Sequence, residues 1–142
     1  MSAPRVQVVV VDDDDPLRTE LVEVLETAGY RVAGLASAAE TLARFDELQP
    51  DLIVLDMMMP GMDGFEFLSR VRAHPAGARV PVLIHSVLGG TLARSIDAAS
   101  ARELGVAGVV PKSGDIESLL EHVRRIMDRG VSSETTACRP NG

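Results

Sequence analysis

Residues 8–15 read VVVVDDDD, four valines running directly into Asp12, Asp13, Asp14 and Asp15. A strand without alternation is apolar on both faces, which suits a sheet covered by helices on both sides. The same form recurs at residues 51–56, DLIVLD, where Asp56 closes a second apolar run. Two such strands, side by side in a parallel sheet, bring their carboxylates to one edge. Like charges crowd together only against a positive partner, and a hard divalent cation, which prefers oxygen ligands, is the natural one. The pattern points to a Mg2+-dependent acidic site.

Working outward, strand-like runs alternate with helix-period segments five times. Strands are predicted over 6–11, 31–35, 52–55, 80–85 and 106–110, and helices over 16–28, 38–48, 64–72, 91–104 and 116–129. Strict alternation implies a doubly wound α/β fold with a parallel sheet and right-handed crossovers. Pro16 fits the first helical position, which makes Asp15 the expected N-cap. Ser37 with Glu40, and Asp63 with Glu66, have capping-box spacing. Gly29, Gly105 and Gly130 are expected to stop their helices. Beyond Gly130 the segment VSSETTACRPNG has little to bury, so residues 130–142 are expected to form a disordered tail.

Composition sets the remaining bounds. A chain of 142 residues suits one domain, and with 46% hydrophobic but only 3% aromatic residues its core must be aliphatic. A net charge of −7 argues against a nucleic-acid face, which needs clustered Lys and Arg. No apolar run approaches membrane-spanning length. The start, MSAPRVQ, lacks signal-peptide architecture, and the single cysteine, Cys138, can build neither a disulfide framework nor a thiolate site. The expectation is a cytoplasmic protein.

In open α/β sheets ligands bind beyond the carboxyl ends of the strands, where strand order reverses. Those ends carry Asp12 and Asp13, then Asp56, Ser86 and Lys112. If the first and third strands are neighbours, three carboxylates, a hydroxyl and an ammonium share one cleft. Two carboxylates about 4 Å apart repel by roughly 4 kcal/mol at an effective dielectric of 20, and a cation reverses that sign. Asp13 and Asp56 can offer oxygens to Mg2+, with Asp12 reaching it directly or through water. An ionised Asp56 is then a nucleophile able to form an acyl phosphate. Lys112 and the cation would neutralise the equatorial oxygens during transfer.

The set Asp12-Asp13, Asp56 within DMMMPGMDG, Ser86 and Lys112 resembles the receiver domain of bacterial two-component response regulators, over residues 5–129. That resemblance implies a flavodoxin-like (βα)5 three-layer sandwich, with a five-stranded parallel sheet in the order 2-1-3-4-5. It assigns Asp56 as phospho-acceptor from a sensor histidine kinase or a histidine phosphotransfer protein. Asp12, Asp13 and the Met58 backbone carbonyl would hold Mg2+ with Asp56, while Ser86 and Lys112 would bind the phosphoryl group and act as the switch. Arg18 lies at the family's usual offset from Asp12-Asp13; Asp13-Asp14 is the alternative metal pair. The implied protein is a stand-alone, chemotaxis-regulator-like switch, a monomer or weak homodimer. It meets an unknown downstream protein and has no enzymatic turnover beyond self-phosphorylation and slow autodephosphorylation.

Several positions depart from the family pattern. Ser113 replaces the proline that often follows the lysine in a cis bond. Val109 stands where a switch aromatic is usual, so any readout must run through backbone or loop movement. Val87 follows Ser86 where a small residue normally leaves room for phosphoryl. The stretch VLGGTLARS is longer than usual and, with Gly89-Gly90, is expected to be mobile. Met58 and Leu88 are apolar beside the path of an attacking water, which predicts slow dephosphorylation. His85 is expected to be a satisfied, part-buried imidazole turned away from Ser86.

Three rivals remain. A degenerate receiver would act only as a protein-interaction module. An aspartate-nucleophile phosphohydrolase would want a second Asp two residues on, where Met58 stands. A nucleotide-binding module would want a glycine-rich loop where Asp12 to Asp15 stand.

Overall fold

The computed structural model describes residues 6–57, 64–86, 104–112 and 114–138. Its strands are β1 (Gln7–Val11), β2 (Arg31–Leu35), β3 (Leu52–Leu55), β4 (Val82–Ser86) and β5 (Val106–Pro111). The helices are α1 (Asp15–Thr27), α2 (Ala38–Ala43), α3 (Phe45–Leu48), α4 (Gly64–Ala73) and α5 (Ile116–Cys138), with a 3-10 turn at Pro75–Gly77. All strand pairs are parallel, in the order β2-β1-β3-β4-β5. This is the expected doubly wound sheet.

Strand parity explains the three layers, because successive side chains of a strand point to opposite faces. Val9 and Val11 of β1 join Ile53, Leu55, Phe45, Phe67, Leu68 and Val71 in one core under α2, α3 and α4. Val8 and Val10 join Leu52, Val54, Leu21, Leu25, Leu119 and Val123 in the other, under α1 and α5. The unbroken valine run is thus apolar because both of its faces are interior.

Local boundaries differ from the sequence reading in instructive ways. Asp14, rather than Asp15, caps α1: its carboxylate accepts from Leu17 N at 3.1 Å, and Asp15 is the first helical residue. Proline at the second helical position is as free of an unmet donor as at the first, so Pro16 allowed either cap. Ser37 caps α2 as expected, its hydroxyl accepting from Glu40 N at 2.9 Å. The helix predicted over 38–48 breaks at Arg44 into α2 and α3. The buried stripe Ala38, Thr41, Phe45 and Leu48 keeps helical spacing across the break, so the pattern alone could not reveal it. The last strand but one begins at Val82 and takes in Ser86.

The final helix does not stop at Gly130 but continues to Cys138, so the tail expected to be disordered is helical that far. A glycine costs only about 1 kcal/mol within a helix, a bias and not a barrier. The predicted helix 91–104 and the Asp63 cap fall almost wholly, or wholly, outside the described residues, as do Val87, the glycine pair and Ser113.

Candidate functional site

Register delivers the site. Val11 of β1 is paired with Leu35 of β2 on one side and Leu55 of β3 on the other, so the next residues, Asp12 and Asp56, emerge at one level. The ladder runs one step further: Asp12 N donates to Leu35 O at 3.0 Å, and Asp56 N to Val11 O at 3.0 Å. At the far side Ser86 pairs with Pro111, and Lys112 N donates to Ser86 O at 3.0 Å. The chain leaves β1 towards β2 and returns to β3 on the other flank. The crevice this opens lies where such sheets bind ligands.

Within it, Asp12, Asp13 and Asp56 each turn a carboxylate oxygen inward, and these atoms lie within 4.8 Å of one another. Asp12 and Asp56 are buried, whereas Asp13 is exposed. Lys112 Nζ bridges the buried pair, 3.0 Å from Asp12 Oδ2 and 3.1 Å from Asp56 Oδ2. The other Asp12 oxygen accepts from Asp14 N at 2.9 Å. Asp14 itself is committed to capping α1, which separates it from the acidic group.

The electrostatics follow from burial against pairing. Burial raises the Asp12 carboxyl above its ordinary range, outweighing the Asp14 N–H and Lys112, which pull it down. Burial alone would lower the Lys112 ammonium, but its hydrogen bonds to Asp12 and Asp56, with their charges, more than offset this and raise it. Lys112 therefore stays charged and serves as counterion to both buried carboxylates.

The acidic group fits a small hard cation. Magnesium takes oxygen ligands at about 2.0–2.1 Å, so opposed ligands stand about 4.2 Å apart. An oxygen span of 4.8 Å needs only small side-chain adjustments, or a bridging water, to meet that. Three carboxylates against one ammonium leave a net negative site.

The family model described as response regulator receiver domain matches residues 8–124. The chain belongs to that family. The receiver domain is 35% identical to the DNA-binding dual master transcriptional regulator RpaA of Synechocystis sp., over 85% of this chain and 49% of that protein. It is also 35% identical to a protein-glutamate methylesterase/protein-glutamine glutaminase of Rhodopseudomonas palustris, over 99% of this chain and 38% of that one. Among solved structures, chemotaxis response regulator CheY4 of Vibrio cholerae superposes with a TM-score of 0.75 at 28% identity, covering 87% of this chain and 99% of that one. The receiver domain spans about half the length, or less, of the curated relatives it matches. It is a module of two-component signalling, a family whose members interact with histidine kinases or phosphotransfer proteins.

Other expected residues fall as follows. Ser86 is fully buried at the end of β4. Met58 lies outside the described residues, so its carbonyl is not placed. Val109 is half-buried on β5 against the α2–α4 core, in the position expected of the switch aromatic. His85 is buried, but its Nδ1 has no hydrogen-bond partner among the described residues, a correction to the satisfied imidazole expected. Burial, with the Lys112 charge, holds that imidazole down at about 4, so it is neutral near neutral pH.

Two residues were missed by sequence reasoning. Arg72 of α4 donates to the carbonyls of Leu104 at 2.9 Å and Gly77 at 2.7 Å, and to that of Val80. It ties α4 to the entries of β4 and β5, and nothing in a single helical arginine announces such a role. Arg18 stands out in sequence only for its offset, yet its guanidinium donates to the Asp12 carbonyl at 2.7 Å. No described helix is long and apolar enough to cross a membrane.

Proposed function

We propose that this receiver domain, taken as residues 5–129, accepts a phosphoryl group on Asp56 from the phosphohistidine of a sensor histidine kinase or a histidine phosphotransfer protein. The observation that carries the reading is the buried Asp56 carboxylate beside Asp12 and Asp13, 3.1 Å from Lys112 Nζ. Asp12, Asp13, Asp56 and the Met58 carbonyl are the proposed Mg2+ ligands. The bound ion would neutralise charge on the transferring group.

The chain's own residues do the rest. An Asp56 oxygen attacks phosphorus, the P–N bond breaks, and its electron pair leaves on the donor's imidazole nitrogen. Lys112, already beside Asp56, turns its ammonium to the equatorial oxygens, which is the positioning and charge stabilisation that phosphoryl transfer requires. The Ser86 hydroxyl, at the end of β4, hydrogen-bonds the acyl phosphate. The Lys112 N to Ser86 O bond then links the occupied site to both β4 and β5. With Val109 in place of an aromatic, the signal passes by backbone shift, a biased equilibrium between two arrangements of the β4–β5 face.

The output is a changed surface that meets a partner protein in the cytoplasm, not steady hydrolysis. The stand-alone reading is supported by CheY4, nearly all of whose chain is covered. A receiver joined to an output domain is the second reading, supported by the transcriptional regulators of which it spans about half. The size of the product in cells of origin separates them. A degenerate, phosphorylation-independent interaction module is supported only by Val87 and Val109.

The chemistry is tested with acetyl phosphate and Mg2+, followed by intact mass. The expected result is a gain of one phosphoryl group that needs Mg2+ and is absent in Asp56→Asn. No gain from acetyl phosphate or from any phosphohistidine donor would favour the degenerate module.

A further inference from the structure

Arg18 sits in the first turns of α1 with its side chain mostly covered, at 19% exposure. Its two terminal nitrogens grip opposite ends of one short turn: Nη1 donates to Asp12 O at 2.7 Å, and Nη2 meets Asp15 Oδ1 at 2.6 Å. Between those points lies Asp13, the exposed member of the acidic group. The turn is fixed twice more, by Asp14 N on Asp12 Oδ1 and by Leu17 N on Asp14 Oδ1. Of these ties, the guanidinium alone comes from outside the run of four aspartates and the backbone beside it.

The stem of Arg18 reaches there by lying across β2. A Cβ built on Gly34 would stand 3.2 and 3.3 Å from Arg18 Cγ and Cδ, and 3.1 Å from Val22 Cγ2. That is tighter than side chains ordinarily pack, so the missing Cβ is the seat on which the arginine rests. Gly34 has no left-handed backbone to explain it.

We propose that Arg18, seated on Gly34, is a positioning residue for the metal end of the site: it holds the turn that aims Asp12 and Asp13 at a divalent cation. The inference rests on the phosphoryl-acceptor reading above. Its sign separates it from plain electrostatics. Arg18 is a cation beside an acidic cluster, so on charge alone its removal should tighten Mg2+ binding. If the fork holds the ligands in place, its removal weakens binding. Residues that orient metal ligands without touching the metal commonly change affinity about 10–100-fold.

The test is calorimetric titration of Mg2+ into the whole protein, with thermal unfolding of the metal-free forms as a folding control. Arg18→Met, which keeps most of the stem and loses the charge, is expected to bind about tenfold more weakly. Arg18→Lys keeps the charge without the planar fork, and a loss of about threefold or more is expected. Gly34→Val leaves Arg18 in the chain but fills its seat; valine suits a strand, and the same weakening is expected. Arg18→Met binding as tightly as wild type, or more tightly, overturns the proposal. Should that variant not fold, Gly34→Val decides, and wild-type affinity there overturns it equally. Wild type that fails to bind Mg2+ overturns the phosphoryl-acceptor reading and this one together. Wild type that binds, with variants unchanged, overturns only this one.

Discussion

Replacing Lys112 by methionine isolates the balance on which the site depends. Methionine keeps the length of the stem and removes the ammonium that bridges Asp12 and Asp56 at 3.0 and 3.1 Å. Two buried carboxylates then face each other without that ammonium, their oxygens within 4.8 Å. At an effective dielectric of about 20 a separation no greater than 4.8 Å corresponds to at least about 3.5 kcal/mol of repulsion, in line with the roughly 3–5 kcal/mol cost of removing one partner from a buried pair. Urea unfolding at neutral pH without metal should show a loss of about 3 kcal/mol, or roughly 10 °C in Tm for a domain of this size. Saturating Mg2+ supplies the missing charge, so the gap between variant and wild type should shrink to below about 1 kcal/mol. It should also shrink in acid, because the Asp12 carboxyl already sits above its ordinary range and takes up a proton early. A loss of equal size with and without Mg2+ would refute the reasoning, since it would make Lys112 a packing residue and not a counterion.

Other outcomes follow from the same geometry. His85 has its pKa lowered to about 4 in the folded protein against 6.5 unfolded, so the unfolded chain binds the extra proton first. Folding stability should therefore drop as pH falls from about 6.5 to about 4, by up to about 3 kcal/mol. His85→Leu removes that part of the pH profile and the Nδ1 that has no partner among the described residues, and should stabilise the neutral-pH protein by about 1–2 kcal/mol; an unchanged acid limb would show that another group carries the loss. Arg72→Lys keeps the charge but lacks the fork that serves three carbonyls, and should cost at least about 2 kcal/mol in chemical denaturation. A cost near zero would mean that the clamp contributes nothing net. The receiver resemblance sets the apolar Met58 and Leu88 beside the attacking water's route, so the acyl phosphate should outlast minutes in purified protein, followed by loss of the added mass over time. A half-life of minutes or less contradicts that expectation.

Much of the fold was written in period and parity. The runs 6–11 and 52–55 are apolar at nearly every position because both faces of β1 and β3 are interior, and that pattern by itself implied helices on two sides. The ends of those strands then put Asp12 and Asp56 at one level, through the Val11–Leu55 register. What stayed hidden depends on single backbone choices or on long reach. Asp14 and Asp15 are equally good caps on paper, and Leu17 N selects between them only in three dimensions. The break at Arg44 leaves the buried stripe intact. Gly130 reads as a stop, yet its modest penalty does not end α5. Arg72 and Arg18 act through backbone carbonyls, an acceptor that every residue carries and that leaves no trace in sequence. Gly34 gives no sign in sequence of the arginine stem that lies across it.

The most direct measurement is a crystal structure of the protein soaked with Mn2+, whose anomalous signal locates a divalent ion independently of how the side chains are built. One peak in the β1–β3 crevice, bound directly by carboxylate oxygens of Asp13 and Asp56 with Asp12 on the ion or one water away, is the predicted result. A peak at another acidic patch, or a crevice in which Asp56 turns from the ion while Lys112 points to solvent, would contradict the shared-cation site and the phosphoryl chemistry built on it.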